Sequence, residues 1–181
     1  MNYNGKRIKI GVGVHDSSAA LLPYISSERK TFVLVSTGTW SVTLNPFASG
    51  VLQADDLQSR CINYMRIDGK PVKAARLFLG EEYKVQTQWL AEQFGVDEEH
   101  HTRVRFDRSI YNELKAQFSI RFAFQELPTT GRSTTSLPAN WTYTRAYHQL
   151  MIELVALQTD NIRAALGGRT VKKLFIDGGF T

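Results

Sequence analysis

Two segments set the hydrophobic pattern of the chain. Residues 31–35 (TFVLV) form a β-branched, apolar run of the kind found in buried strands. Residues 40–46 (WSVTLNP) then alternate Trp40, Val42 and Leu44 with Ser41, Thr43 and Asn45. That period of two predicts a half-buried strand. The STGT turn at 36–39 joins the two into a β-hairpin. At residues 142–166 the period changes. Tyr147, Leu150, Met151, Leu154, Val155, Ile162, Ala165 and Leu166 fall three or four apart, giving one apolar helix stripe. Thr142 is placed to cap this helix, and Gly167-Gly168 to stop it. Residues 171–177 (VKKLFID) then read as a strand running into Gly178-Gly179.

The remaining elements are shorter. Residues 6–14 predict a strand leading into a loop, and residues 17–25 a helix capped by Ser17 or Ser18 and ended or bent by Pro23. Residues 61–67 predict a third strand, closed by the turn Asp68-Gly69-Lys70-Pro71. Residues 72–79 fit a strand by pairing and a helix by composition. Residues 81–94 predict a helix stopped at Gly95, and residues 108–118 a shorter one with Ser109 as cap. Residues 125–141, with Pro128, Gly131 and Pro138, are irregular. The fold class is therefore α/β. It is a mixed sheet whose first three strands are antiparallel neighbours, followed by a long helix and a strand returning parallel. The stretch 80–141 forms a mostly helical insertion in which Trp89, Phe124 and Trp141 pack as core or as a cap.

Composition narrows the class. The chain has 181 residues, 43% of them hydrophobic and 22% charged, which excludes disorder and low-complexity structure. One cysteine, Cys61, excludes an internal disulfide and suits a reducing, cytoplasmic setting. No apolar run has membrane-helix or signal-peptide length. The net charge of +5 is scattered, as in Lys6, Arg7 and Lys9, which argues against nucleic-acid binding.

Three clusters carry candidate chemistry. Gly13-Val14-His15-Asp16 puts a carboxylate on a loop after a strand, where α/β folds place catalytic groups. Asp16 there either takes a proton from a substrate hydroxyl or caps the following helix. Ser36-Thr37-Gly38-Thr39 offers backbone N–H groups and hydroxyls to phosphate oxygens, or is simply a hairpin turn. Asp177-Gly178-Gly179 allows close approach of a nucleotide, or is a strand-to-helix turn. Gly11-Val12-Gly13 lacks the third glycine of a dinucleotide fingerprint. Asp97-Glu98-Glu99-His100-His101 reads as a solvated loop rather than a metal site, His148 as structural and Cys61 as a buried thiol.

Taken together, GVHDSSAAL (13–21), VSTGTWSV (35–42), AYHQLMIELVALQ (146–158) and LFIDGGFT (174–181) resemble the FGGY carbohydrate kinases of the actin/hexokinase fold. The His-Asp pair, the Ser-x-Gly-Thr-Trp turn and YMRIDGKPVKAARLFLGEE (64–82) are most similar to the fuculokinase and rhamnulokinase branch. The resemblance implies an actin-like ATPase (ribonuclease H-like) domain that transfers the terminal phosphate of ATP to a ketose or deoxy-ketose. It implies Asp16 as general base, His15 beside the sugar, Thr37, Gly38 and Thr39 on the terminal phosphates, and Gly178 and Gly179 on the adenosine side. Magnesium is implied with ATP, its ligands largely in a first domain.

On the same resemblance, residues 1–25 end a first domain and residues 26–181 make up most of a second, so the chain reads as a truncated kinase, inactive alone. Its partners are a small sugar and ATP, without nucleic acid or membrane, and dimerisation through a bare sheet edge is a further expectation. Two alternatives stand beside this reading. One is a kinase for xylulose, gluconate or glycerol; the other is a non-catalytic binding module on the same fold.

Overall fold

The apolar run and its alternating neighbour pair as the pattern predicts, and the rest of the sheet assembles around them. The computed structural model describes residues 2–3, 5–7, 13, 15–48, 51–125, 127 and 134–179. In chain order the elements are β1 (Asn2–Tyr3), β2 (Lys6–Arg7), α1 (Asp16–Ala20), α2 (Leu22–Ser27), β3 (Phe32–Thr37), β4 (Ser41–Asn45), α3 (Ala54–Gln58), β5 (Cys61–Met65), β6 (Pro71–Leu77), α4 (Leu79–Phe94), a 3₁₀ turn (Glu98–Arg103), α5 (Arg108–Ala116), α6 (Tyr143–Leu166) and β7 (Lys173–Gly178). Apart from the small β1–β2 ladder, the strands form one sheet in the order β5-β6-β4-β3-β7. β3 pairs antiparallel with β4 and parallel with β7, which is the expected mixed sheet.

Two details of the expected topology differ. Within 72–79 the residues up to Leu77 resolve as a strand, in which Val72 and Ala74 face one side of the sheet while Lys73, Ala75 and Leu77 face the other, and Leu79 already opens α4. The tight turn at Asp68-Gly69, with Gly69 at φ +78°, folds β6 back on β5. β6 therefore lies between β4 and β5, and the first three predicted strands are not consecutive neighbours. The expected strand at 6–14 is seen only as Lys6–Arg7; residues 8–12 and 14 lie outside the described residues.

Both faces of the centre of the sheet are covered, while β7 at its edge stays largely exposed. On one, Phe32, Leu34, Val42, Leu44, Val72 and Ala74 pack under Leu21, Tyr24 and Ile25. On the other, α6 meets the polar positions of β4. Ser41 Oγ donates to Gln158 Oε1 (2.5 Å), Thr43 Oγ1 bonds the Asn161 amide (2.8 Å) and Asn45 Nδ2 donates to the carbonyl of Ala165 (3.0 Å). Every residue of β4 is thus buried, not half-buried as its alternation suggests. Its polar side chains exchange water for partners on α6, each bond being worth about 1 kcal/mol net.

Helix starts also shift. α1 begins at Asp16 and is capped by His15, whose ring nitrogen accepts from Ser17 N (3.2 Å), rather than by Ser17 or Ser18. Pro23 sits in the first turn of α2, where its missing N–H leaves no bond unmade, and the helical path bends at Leu21. Asp107, not Ser109, caps α5, accepting from Ser109 N (2.8 Å) and Ile110 N (3.1 Å). Thr142 caps α6 and Gly167 ends it in the left-handed region, as expected.

The insertion is mostly helical and packs on the first half of α6 around Leu90, Phe122, Leu150 and Leu154, with Phe124 buried and Trp89 and Trp141 against it. Two buried carboxylates hold its irregular segment at residues 121–125. Glu153 accepts from Arg121 N (2.9 Å) and Phe122 N (3.1 Å), and Glu82 from Gln125 N (3.0 Å). The 97–101 segment enters a 3₁₀ turn instead of an open loop. His148 is structural: its Nε2 accepts from Asp107 N (2.8 Å) and its Nδ1 bonds the carbonyl of Thr144 (2.7 Å). Among the described residues no helix is long and apolar enough to cross a membrane.

Candidate functional site

Parallel pairing brings two glycine-bearing turns to one end of the sheet. Thr37 lies opposite Gly178 where β3 and β7 end together. Thr37 Oγ1 donates to the carbonyl of Asp177 (2.9 Å), and Gly179 N donates to the carbonyl of Thr37 (2.9 Å). Gly178 takes φ +104°, and a Cβ there would fall 1.9 Å from the carbonyl oxygen of Thr37, so only glycine fits. Gly38 N donates to the carbonyl of Trp40 (3.0 Å), closing the hairpin loop.

A third glycine supports this loop from below. Gly80 N donates to the carbonyl of Thr39 (3.0 Å), and a Cβ on Gly80 would stand 2.1 Å from Gly38 O. The start of α4 is thereby pressed against the hairpin. Gly38 and Gly179 differ from these two. A Cβ on Gly38 would meet only Trp40 O, at 3.7 Å, and one on Gly179 nothing within 4 Å. Packing does not demand glycine at either position, and Gly38, Thr39 and Gly179 are all exposed. The result is a rigid backbone cradle with an open mouth, suited to the oxygens of a phosphate chain.

Tyr24 and Arg76, which the sequence did not single out, frame the cradle together with Trp40 of the Ser-x-Gly-Thr-Trp turn. Tyr24 OH donates to Asp177 Oδ2 (3.1 Å), tying α2 to the end of β7, while Asp177 Oδ1 accepts from Gly178 N (2.8 Å). Burial, and then the Asp177 carboxylate, raise the Tyr24 hydroxyl above its ordinary pKa. Trp40 leans on Phe78, ring centroids 4.6 Å apart, and the Arg76 guanidinium lies 5.5 Å from the Trp40 ring centre.

His15 and Asp16 are placed elsewhere. The His15 ring stacks on Tyr64 of β5 (4.8 Å), and its Nδ1 is 2.7 Å from Asp16 Oδ1. The Asp16 side chain is 91% exposed. Tyr64 lies opposite Val72, two residues beyond the row formed by Leu34, Leu44, Ala74 and Ile62, while Thr37 lies three residues to the other side of that row. Five residues along the strands at about 3.4 Å each, and three strand spacings of about 4.8 Å, separate Tyr64 from Thr37 by about 20 Å. The structure thus joins Thr37, Gly38, Thr39, Gly178 and Gly179 in one site and leaves His15 and Asp16 at another corner of the sheet.

Among the described residues no group of three or more His, Cys, Asp or Glu is arranged to hold a metal. A large cavity of about 830 Å³ opens between α5 and α6, lined by Phe106, Tyr111, Phe118, Met151 and Val155, and contains none of the candidate site residues. Cys61 is 1% exposed, and burial pushes its thiol pKa up.

Solved structures share this architecture. A carbohydrate kinase from Novosphingobium aromaticivorans superposes with a TM-score of 0.60 at 19% identity, covering 92% of this chain and 36% of that one. A xylulose kinase from Bifidobacterium adolescentis superposes with a TM-score of 0.58 at 16% identity, covering 91% of this chain and 32% of that one. The fold is accordingly the α/β, actin-like ATPase architecture that the motifs imply. The chain spans about a third of the length of either structure. No protein-family model matches the chain, and no curated protein matches it by sequence.

Proposed function

We propose that this chain is part of an ATP-dependent sugar kinase, in which the hairpin loop at Thr37–Thr39 holds the terminal phosphates of ATP and the turn at Gly178–Gly179 its adenosine side. The observation that carries the reading is the locked pair of turns, rigid where Thr37 meets Gly178 and open at Gly38 and Gly179. The fold shared with two carbohydrate kinases supports it. A ketose acceptor is favoured, because the fuculose and rhamnulose kinases that the motifs resemble and the xylulose kinase of similar fold all act on sugars of that class.

In the proposed reaction a sugar hydroxyl attacks the terminal phosphorus, ADP leaves, and Asp16 accepts the hydroxyl proton with His15 beside the sugar. Magnesium fits as the ion carried by the phosphates of ATP, where it would neutralise charge. This chain contributes positioning: exposed Thr39 at the loop and a fixed strand end beneath it, the N–H groups of Gly38 and Gly179 serving to close the two turns. Residues 26–181 would supply most of the second kinase domain, and residues 1–25 the lead from the first.

The gap of about 20 Å between Tyr64 and Thr37 exceeds the length of a sugar. Base catalysis by Asp16 therefore requires the first turn of α1 to approach the loop when both substrates are bound. The same gap is the observation that favours the alternative, an actin-fold module that binds nucleotide without chemistry.

Titration of the ¹⁵N-labelled chain with ATP tests the nucleotide site. The largest shifts are expected at Thr37, Gly38, Thr39, Gly178 and Gly179, and shifts confined to other residues would overturn the assignment. Coupled ADP-release assays over a ketose panel, run on the longer protein of which this chain would be part, then separate kinase from module. If Asp16 is the base, Asp16→Asn lowers turnover by about 10²–10⁴-fold with ATP affinity kept; sugar-dependent turnover that ignores the substitution removes Asp16 from the chemistry.

A further inference from the structure

We propose that Arg76 is a phosphate-binding residue of this site and holds the terminal phosphoryl group of a nucleoside triphosphate. The inference rests on the nucleotide reading above and adds a side chain to it. Its first support is position. Arg76 lies opposite Val42, Val42 opposite Ser36, and Ser36 opposite Asp177, so the four form one row across the cradle end of the sheet. Two strand spacings, about 10 Å, separate Arg76 from Ser36. The guanidinium lies 5.5 Å from the ring centre of Trp40, the residue whose carbonyl closes the Gly38 loop. Stacking on an aromatic ring fixes the plane of the guanidinium in advance of binding.

The second support is charge. Arg66, Arg103, Arg145 and Arg163 each pair with a carboxylate. Arg76 has no such ion pair among the described residues, and its Nε is buried without a hydrogen-bond partner. The guanidinium charge is thus left without a carboxylate, and an oxyanion meeting its outer nitrogens would neutralise it. Arg66 and Arg121 also have an unpartnered Nε. Arg66, however, is neutralised by Asp68, and Arg121 lies over Trp141 in the helical insertion, away from both turns. Arg76 is the one of the three that combines an unpaired charge with a place at the cradle. Planar, forked donors suit two oxygens of one phosphate.

Calorimetric titration with ATP and with ADP tests this on the 181-residue chain, its Arg76→Gln variant and its Arg76→Lys variant. The native chain is expected to bind ATP more tightly than ADP. Arg76→Gln should weaken ATP by on the order of ten- to a hundredfold and ADP by less than about threefold, with Arg76→Lys between for ATP. Thermal midpoints establish that each variant is folded, and if Arg76→Gln is not, Arg76→Lys decides. Equal loss for both nucleotides, or none, overturns the role of Arg76 and leaves the nucleotide site standing. A native chain that binds neither nucleotide overturns both.

Discussion

Gly80→Ala sets two physical effects against each other. Gly80 is the second residue of a 16-residue helix, and alanine there is favoured over glycine by about 1 kcal/mol on helix propensity alone. The surroundings argue the other way. The new Cβ would lie 2.1 Å from Gly38 O, 2.9 Å from Gly38 C and 3.0 Å from Thr39 Cα. All three are backbone atoms, so relief requires the loop and the helix to part. Overpacking of this kind costs about 1–3 kcal/mol, and loss of the Gly80 N to Thr39 O bond about 1 kcal/mol more. The net expectation is destabilisation by about 1–3 kcal/mol. With a urea slope of about 2 kcal/mol/M, the midpoint falls by about 0.5–1.5 M. Gly179→Ala serves as control, since its Cβ would meet nothing within 4 Å. It should stay within about 0.5 kcal/mol of the native chain. ATP affinity should drop with Gly80→Ala as well, because the displaced backbone is that of Gly38 and Thr39. A Gly80→Ala chain as stable as the native one, or more so, would refute the close approach and with it the account of how the loop is held.

Two further outcomes follow from the neighbourhood of β6. Asp56 pairs with largely buried Lys73 at 2.5 Å, and that hydrogen bond holds its carboxyl below the ordinary range. The stability this confers is complete above about pH 4 and is lost as pH falls through the lowered value. Asp56→Asn should therefore lower the thermal midpoint at neutral pH and flatten its decline between about pH 5 and 3; an unchanged acid limb would show that the pair contributes nothing. Cys61, with its thiol pushed up by burial, should react with iodoacetamide on the order of a hundredfold or more slower than a free thiol, at a rate that follows unfolding as urea is added. Rapid alkylation in native buffer would contradict the buried placement.

Where a signal is local, the sequence shows it plainly. Thr142, Gly95 and Gly167 mark helix ends through their own side chains or backbone freedom, and each does so in the structure. The misplaced caps have a common cause. Ser17 and Ser109 are good cap residues, but His15 and Asp107, two positions earlier, carry acceptors that take the N–H groups of Ser17 and Ser109 themselves, so each helix starts sooner. The burial of β4 was not legible, because alternation reports which side chains are polar and not whether Gln158 or Asn161, more than a hundred residues away, will meet them. The same limit governs the site. Each glycine turn is visible as a string, whereas the need for glycine at 80 comes from the backbone of residues 38 and 39. Tyr24 lies in no motif, and within 64–82 nothing marks Arg76, since their places come from strand register and from the short α2 that follows Leu21.

The pairing of Thr37 with residues 177–179 spans 140 positions of sequence. While the polypeptide is being made, β3 can zip against β4 almost at once, but its other flank stays bare until β7 leaves the ribosome. Closing so long a loop is slow and comes late. A nascent molecule therefore has a four-stranded scaffold in which the join between Thr37 and Gly178 is still unmade, and the paired turns exist only once residues 177–179 have emerged.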